Sequence, residues 1–350
     1  MKEKILHILP ANTFTMPFVD FTNKEFDSKN QFFIFTSDPG KDFTEKHKNI
    51  KVLKNRSLLR FNVLSNIFLF FKYMKRSNKI ILHGLPPINY FILFPWAYKK
   101  SYWVIYGYEI YPSKGSVNHK FERIKKYILK NVAGHLTHIK GDSIIANKLF
   151  NSNVKFLYTP IYLSNVTLTE NFTRNCFMKN GTLNILIGNS ASPTNNHLES
   201  LKQLEIYKNR EINIYCPLSY GNYPEYKEKV INEGKRIFHS KFTPILKFMS
   251  REEYDKFLNK VDVVVFNHNR QEAMGVTISL LGMGKIIYMN EETTSYKSLK
   301  DRGFSVFTNE QILNDGLFKF RDVSNNLILV QSYYSPEVLK KSWEEIYHIK

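Results

Sequence analysis

Cysteine is almost absent from this chain: two in 350 residues, Cys176 and Cys216, with no Cys/His cluster at metal-ligand spacing. That excludes a disulfide framework and a structural zinc site. No Asp-x-Asp occurs, so the carboxylate pair that commonly holds a metal–nucleotide complex is missing. CxxC, HExxH, Gly-x-Ser-x-Gly, GxGxxG and a Walker A loop are also absent, which removes the common zinc, serine-hydrolase and P-loop readings. No uninterrupted apolar run reaches the ~18 residues a membrane span needs. The opening MKEKILHILP is too short in its apolar part for a signal peptide and reads better as a first strand. A cytoplasmic chain is the expectation.

Acidic residues are scarce in one half only. Residues 1–165 hold 26 Lys/Arg against 10 Asp/Glu, a net of +16, whereas residues 166–350 hold 24 against 21, a net of +3. The whole chain carries +19. A basic half points to an anionic partner: nucleic acid, an anionic leaflet or a diphosphate-bearing substrate. Hydrophobic content of 43% with 15% aromatic is ample for a folded core. The aromatics lie mostly inside apolar runs, where a core role explains them better than base stacking. Nucleic-acid binding is therefore the rival reading, not the first one.

Length favours two domains. Strand-like runs occur at 5–9, 32–36, 79–83, 102–106, 135–139 and 154–157, and again at 183–187, 212–216, 262–266 and 285–289. Helical patterns at 60–76, 117–131, 195–208, 223–238, 250–259 and 274–283 alternate with them. Such alternation predicts α/β domains with parallel sheets. The polar stretch 159–182 reads as a linker, dividing an N-terminal domain (1–158) from a C-terminal one (183–330). A terminal helix follows (331–350), with Ser335 as cap and Pro336 at its first position.

In open α/β sheets ligands bind beyond the carboxyl ends of the strands, so the loops there are the candidates. Gly188-Asn189-Ser190 ends the first strand of the second domain. It could form an anion-binding nest facing a helix N-terminus; an ordinary loop with capping residues is the plainer alternative. Arg270, Gln271 and Glu272 precede a second helix start near Gly275. Two such termini suit a diphosphate, with Gln271 or Glu272 accepting sugar hydroxyls; helix pairing and a helix-start preference are the plainer explanations. In the first domain His83-Gly84, Gly107 with Glu109, and His138 with Lys140 follow strands. A His and a Glu there form a plausible acid/base pair, although a solvated or structural role is the commoner fate of each. Residues 60–79 combine an aromatic-aliphatic face with Lys72, Lys75, Arg76 and Lys79, as does a helix lying in an anionic membrane surface; periodicity alone fits a core helix with its charged end in solvent as well, and the basic half tips the reading to the membrane. Two α/β domains, helix N-termini around a cleft and no metal carboxylates together fit a GT-B glycosyltransferase.

The chain also resembles glycosyltransferase family 56, the TDP-N-acetylfucosamine:lipid II N-acetylfucosaminyltransferases of enterobacterial common antigen synthesis. The resemblance runs in order through His83-Gly84, WVIYGYEIY (103–111), GNS…NNH (188–197), YCPLSYGN (215–222), RQEAMG (270–275) and YYSPEVLKKSW (333–343). It implies two doubly wound Rossmann-like domains facing a cleft, no cofactor, and transfer of 4-acetamido-4,6-dideoxy-galactose (Fuc4NAc) from a TDP-sugar to a polyprenyl-diphosphate-linked saccharide. It implies peripheral attachment to the cytoplasmic side of the inner membrane. By the same resemblance Gly188, Asn189, Ser190, Asn196 and His197 form the donor-phosphate loop. Pro217, Tyr220, Arg270, Gln271 and Gly275 line the rest of the donor side. His83, Gly107 and Glu109 face the acceptor, with Glu109 as general base and His83 or His138 as alternates. Two departures stand out: Glu109 replaces the Asp expected in that block, and Ala191-Ser192-Pro193-Thr194 is less charged than the family tends to be. Either points to a related cell-surface polysaccharide transferase with another sugar as the alternative.

Overall fold

Two runs explain the first sheet. ILHIL (5–9) and KIILH (79–83) are buried at every position, as parallel strands covered on both faces must be. The computed structural model describes residues 3–54, 60–85, 87–111, 119–167 and 181–349. The chain divides into two compact units, Met1–Val166 with Pro336–Lys350, and Thr167–Ser335.

The first unit contains β1 (Ile5–Leu9), β2 (Gln31–Phe35), β3 (Ile50–Val52), β4 (Lys79–His83), β5 (Ser101–Val104), β6 (Gly134–Thr137) and β7 (Lys155–Tyr158). All pair in parallel, in the order β3-β2-β1-β4-β5-β6-β7. The second contains β8 (Leu183–Ile187), β9 (Ile212–Pro217), β10 (Phe242–Ile245), β11 (Val263–Phe266), β12 (Ile286–Met289) and β13 (Phe307–Thr308), ordered β10-β9-β8-β11-β12-β13. Both orders reverse once, at β1/β4 and at β8/β11. Those switch points open the crevices where such sheets bind ligands.

The expected α/β alternation is present, with differences where local signals are weak. β3, β10 and β13 are edge strands of two to four residues, too short for a period to register. Thr15–Glu25 is a helix despite Pro17, which sits in the first turn where a missing N–H matters little. Lys140–Phe150 is a helix, so Lys140 opens it rather than lying in a loop. The helix expected over 195–208 starts only at His197, because Asn196 adopts a left-handed φ of 50°.

The polar stretch 159–182 is not uniform. Ile161, Tyr162 and Val166 are core residues of the first unit, while 168–180, including Cys176, lie outside the described residues. The terminal helix Pro336–His348 completes the first unit. Leu339, Trp343, Ile346 and Tyr347 pack with Ile5, Phe18 and Ile81, and Trp343 Nε1 donates to the Ile161 carbonyl at 3.1 Å. Buried Lys79 is satisfied by Glu3 and by the Tyr347 carbonyl.

Candidate functional site

In the second unit Gly188 directly follows β8, and its φ of +64° turns the chain sharply. A side chain there has no room: a Cβ would lie 2.4 Å from His197 Nε2 and 2.8 Å from Asn195 Oδ1. Fully buried Asn195 organises the turn. Its Oδ1 accepts the Asn189 N–H at 2.8 Å, and its Nδ2 donates to Ser190 Oγ at 3.2 Å and to Glu272 Oε2 at 3.0 Å. Glu272 Oε1 accepts from Thr194 Oγ1 at 2.6 Å and from Arg270 Nε at 2.5 Å. Asn196 donates to the Asn267 carbonyl at 2.9 Å and to Asn269 Oδ1 at 2.5 Å. The loops after β8 and β11 thus form one hydrogen-bonded body at the switch point.

His197 closes that body from below. Tyr226 Oη accepts the His197 backbone N–H at 3.0 Å and lies 3.2 Å from Nδ1. Tyr226 Oη thus serves both the backbone and the ring of His197, and the other ring nitrogen, Nε2, is buried without a partner beneath Gly188. Burial, and then the nearby His268, lower the His197 pKa to about 3, so the ring is neutral. The geometry sets an uncharged, unpartnered ring nitrogen against a glycine turn.

The remaining donor-side residues surround this turn. Pro217 is the last, buried residue of β9. Tyr220 is 72% exposed, and its carbonyl accepts the Ala191 N–H at 2.6 Å, which brings the 217–222 loop over the turn. Half-buried Gln271 lies two residues before Ala273, whose left-handed φ of 58° leads into the helix Met274–Gly282, with Gly275 its second residue. Glu272 differs from expectation. Both carboxylate oxygens are engaged inside the protein, so it locks two loops rather than offering a free acceptor to a ligand hydroxyl.

In the first unit, Glu109 reaches inward from a turn in which the Ile110 N–H donates to the Gly107 carbonyl at 3.1 Å. It is 4% exposed. Oε2 accepts the Tyr106 N–H at 3.2 Å, while Oε1 is buried with no partner. Glu109 makes no ion pair among the described residues. Burial raises its pKa to about 8 against the opposing pull of the backbone N–H groups of Glu109, Tyr106 and Gly107, and Asp142 adds a smaller upward push. Below that pH the carboxyl is mostly protonated.

His83 and Glu109 do come together, through Gly84. A Cβ on Gly84 would sit 2.6 Å from Tyr106 Cε2 and 3.3 Å from Glu109 Oε1. His83 is nevertheless not placed as a base. It is 2% exposed, with Nε2 3.0 Å from His7 Nδ1 and Nδ1 2.6 Å from Tyr162 Oη, so neither nitrogen is open to a substrate proton. Burial, then His7, hold its pKa well below the usual value. His138 is buried just beyond β6. The sequence reading missed Asn195, Tyr226, Tyr106 and Tyr162. Asn195 stood within the NNH block without a role, and Tyr162 lay in the segment read as linker.

Residues 5–348 match the family described as "4-alpha-L-fucosyltransferase glycosyl transferase group 56". Among solved structures, a glycosyltransferase from Rickettsia africae ESF-5 is 15% identical, covering 99% of this chain and 98% of its own, with a TM-score of 0.68. The Anabaena HepE protein in complex with UDP and glucose is 10% identical over 98% of this chain and 99% of its own, TM-score 0.70. The lipopolysaccharide outer core galactosyltransferase WaaB in its apo form is 12% identical over 98% of each chain, TM-score 0.67. The expected fold is met: two parallel-sheet Rossmann-like units of the GT-B type, with a helical C-terminus.

Proposed function

Since the chain belongs to glycosyl transferase group 56, we propose that it moves 4-acetamido-4,6-dideoxy-galactose from a TDP-sugar to a polyprenyl-diphosphate-linked saccharide, the lipid II of enterobacterial common antigen. The observation that carries the donor half is the glycine turn with the neutral, unpartnered Nε2 of His197 beneath it, bonded to the Arg270–Glu272 loop. The diphosphate lies against the 188–190 turn, where backbone N–H groups, His197 Nε2 and Arg270 offset its charge without a metal ion. Tyr220, Gln271 and Gly275 border the nucleotide and sugar.

In the first unit Glu109 serves the acceptor. The acceptor hydroxyl oxygen forms a bond to the anomeric carbon as the bond from that carbon to the TDP oxygen breaks. TDP leaves with the electron pair, and the hydroxyl proton passes to ionised Glu109. With a pKa near 8 only about a tenth of the enzyme holds that form at pH 7, but the form is a correspondingly stronger base.

The basic unit docks on the cytoplasmic face of the inner membrane. Helix Arg60–Arg76 exposes Leu64, Phe68 and Phe71, and the next turns expose Leu93 and Trp96. Lys75 lies 5.7 Å over the Phe71 ring and Lys100 5.1 Å over Trp96. No acidic residue occurs between Glu45 and Glu109. Apolar side chains ringed by lysines suit anionic lipid. Among the described residues no helix is long and apolar enough to cross a membrane.

A nucleotide thermal-shift screen followed by a product assay in EDTA tests this reading. TDP should raise Tm more than UDP, and transfer should persist in EDTA. A UDP-selective shift favours the related polysaccharide transferase, a reading that the UDP bound to the Anabaena protein supports. Loss of transfer in EDTA refutes the metal-free mechanism.

A further inference from the structure

Five side chains of the first unit form one unbroken chain, buried from Gln31 to Tyr162 and half-buried at Tyr106. Gln31 Oε1 is 3.1 Å from His7 Nε2, His7 Nδ1 is 3.0 Å from His83 Nε2, and His83 Nδ1 is 2.6 Å from Tyr162 Oη. Tyr162 Oη is 2.6 Å from Tyr106 Oη. Burial depresses His7 to a pKa of about 3 and His83 well below its usual value, so both rings are neutral. Each therefore carries one proton, and a choice made at one end sets every link.

The Gln31 end makes that choice. Its carbonyl oxygen only accepts, so His7 Nε2 carries the proton and His7 Nδ1 is bare. His83 must then donate from Nε2, which leaves its Nδ1 bare. Tyr162 must donate to that nitrogen, and Tyr106 must donate to Tyr162. Tyr347 Oη also lies 3.2 Å from His7 Nε2, on the same side as Gln31.

At the open end the proton of Tyr106 is committed inward and its oxygen is left as an acceptor. Its ring edge and Glu109 Oε1 border the same spot above Gly84. The exposed rings of Tyr108 and Phe14 stack against the last two members of the chain, Tyr108 6.4 Å from Tyr106 and Phe14 6.4 Å from Tyr162.

We propose that this chain fixes the Tyr106 oxygen as a hydrogen-bond acceptor beside Glu109, and that the two together hold a hydroxyl-bearing ring of the acceptor saccharide. Tyr106 contacts the saccharide; His7, His83 and Tyr162 are positioning residues acting through it. The inference rests on assigning the first unit to the acceptor. A hydroxyl donating to Tyr106 keeps its oxygen lone pairs turned outward, and Tyr108 offers a flat face for the ring.

Two measurements decide it. Nitrogen-15 NMR of ring-labelled histidine should find His7 and His83 neutral, with the proton on Nε2 of both, from pH 5 to 8. A proton on Nδ1 of either reverses the chain and sinks the proposal. Calorimetry with a short-chain polyprenyl-diphosphate disaccharide should show Tyr106→Phe binding roughly three- to tenfold more weakly than wild type, the value of one hydrogen bond. TDP-sugar affinity should stay within twofold. His83→Phe should weaken saccharide binding to the same extent, and the double variant no further, because both changes remove one acceptor. A merely structural role would give additive losses and move TDP-sugar binding as well. Wild-type binding that Tyr106→Phe leaves intact overturns the inference alone. No saccharide binding by the wild type overturns the acceptor assignment and the inference with it.

Discussion

Asn195 donates its side-chain amide to Glu272 at 3.0 Å, and the bond ties the turn after β8 to the loop after β11 across 77 residues of sequence. Thr194 and Arg270 bond the same carboxylate. One acidic side chain thereby holds the two segments assigned to the donor.

Glu272→Ala removes all three bonds at once. Hydrogen bonds to a charged group contribute about 1.5–3 kcal/mol each when buried, but here they also preorganise the turn. The donor KM should rise on the order of tenfold or more and Tm fall by several degrees, with acceptor KM unmoved. Steady-state kinetics in both substrates checks this, and an unchanged donor KM would separate the link from donor binding.

Two glycines with nearly the same backbone angle make a controlled pair. Gly188 (φ +64°) has His197 and Asn195 inside 3 Å of any added Cβ, whereas Gly284 (φ +69°) has nothing within 4 Å. Gly284→Ala should show strain alone, about 1 kcal/mol. Gly188→Ala adds a clash with the donor turn and should lower both stability and donor affinity further. Chemical denaturation and TDP titration on the pair give the comparison. Equal losses would mean that the turn tolerates displacement of His197.

Why these elements were legible differs from place to place. Long apolar runs such as ILHIL and VVVF announced the central strands, because parallel strands are buried on both faces and need no partner to look hydrophobic. Edge strands β3 and β13 carry two or three residues each and have no such signature. Gly188 and Arg270–Glu272 stood out because loops beyond strand ends are polar and glycine is conspicuous there. The inward role of Glu272 was not legible: it depends on Asn195 and Thr194, 77 and 78 residues away. The same holds for His83, whose partners His7 and Tyr162 sit 76 and 79 residues distant. A histidine at a strand end reads as a candidate acid or base until the fold brings a second histidine and a tyrosine against it.

Glu109→Gln tests the base and its titration together. Wild-type kcat/KM should rise with pH through about 8 as the buried carboxyl ionises, given a pKa raised to about 8. The variant should lose about 10²–10⁴-fold in kcat and the rising limb with it. Stability gives an independent sign. The folded pKa lies above the unfolded value of 4.5, so the folded state holds more protons between pH 4.5 and 8, and wild-type stability falls across that window. The amide that Glu109→Gln introduces cannot ionise, so Tm of the variant minus Tm of wild type should grow from about pH 5 to about pH 8.5. A difference that stays flat over that range would show a carboxyl already ionised at low pH.

The exposed face around Phe68 and Trp96 separates surface docking from chemistry. Burying a large apolar side chain contributes about 1.5–3 kcal/mol, and a lysine near an anionic leaflet about 1 kcal/mol. Phe68→Asp with Trp96→Asp should therefore reduce sedimentation with phosphatidylglycerol-containing vesicles by at least tenfold. Both side chains are substantially exposed, at 66% and 46%, so Tm should change little. Transfer to a short-chain soluble acceptor should hold, while transfer to acceptor embedded in vesicles falls. Raising salt should weaken wild-type binding through its lysines, with the apolar anchors retaining part of it. Unaltered vesicle binding by the double variant would place the membrane contact elsewhere in the basic unit.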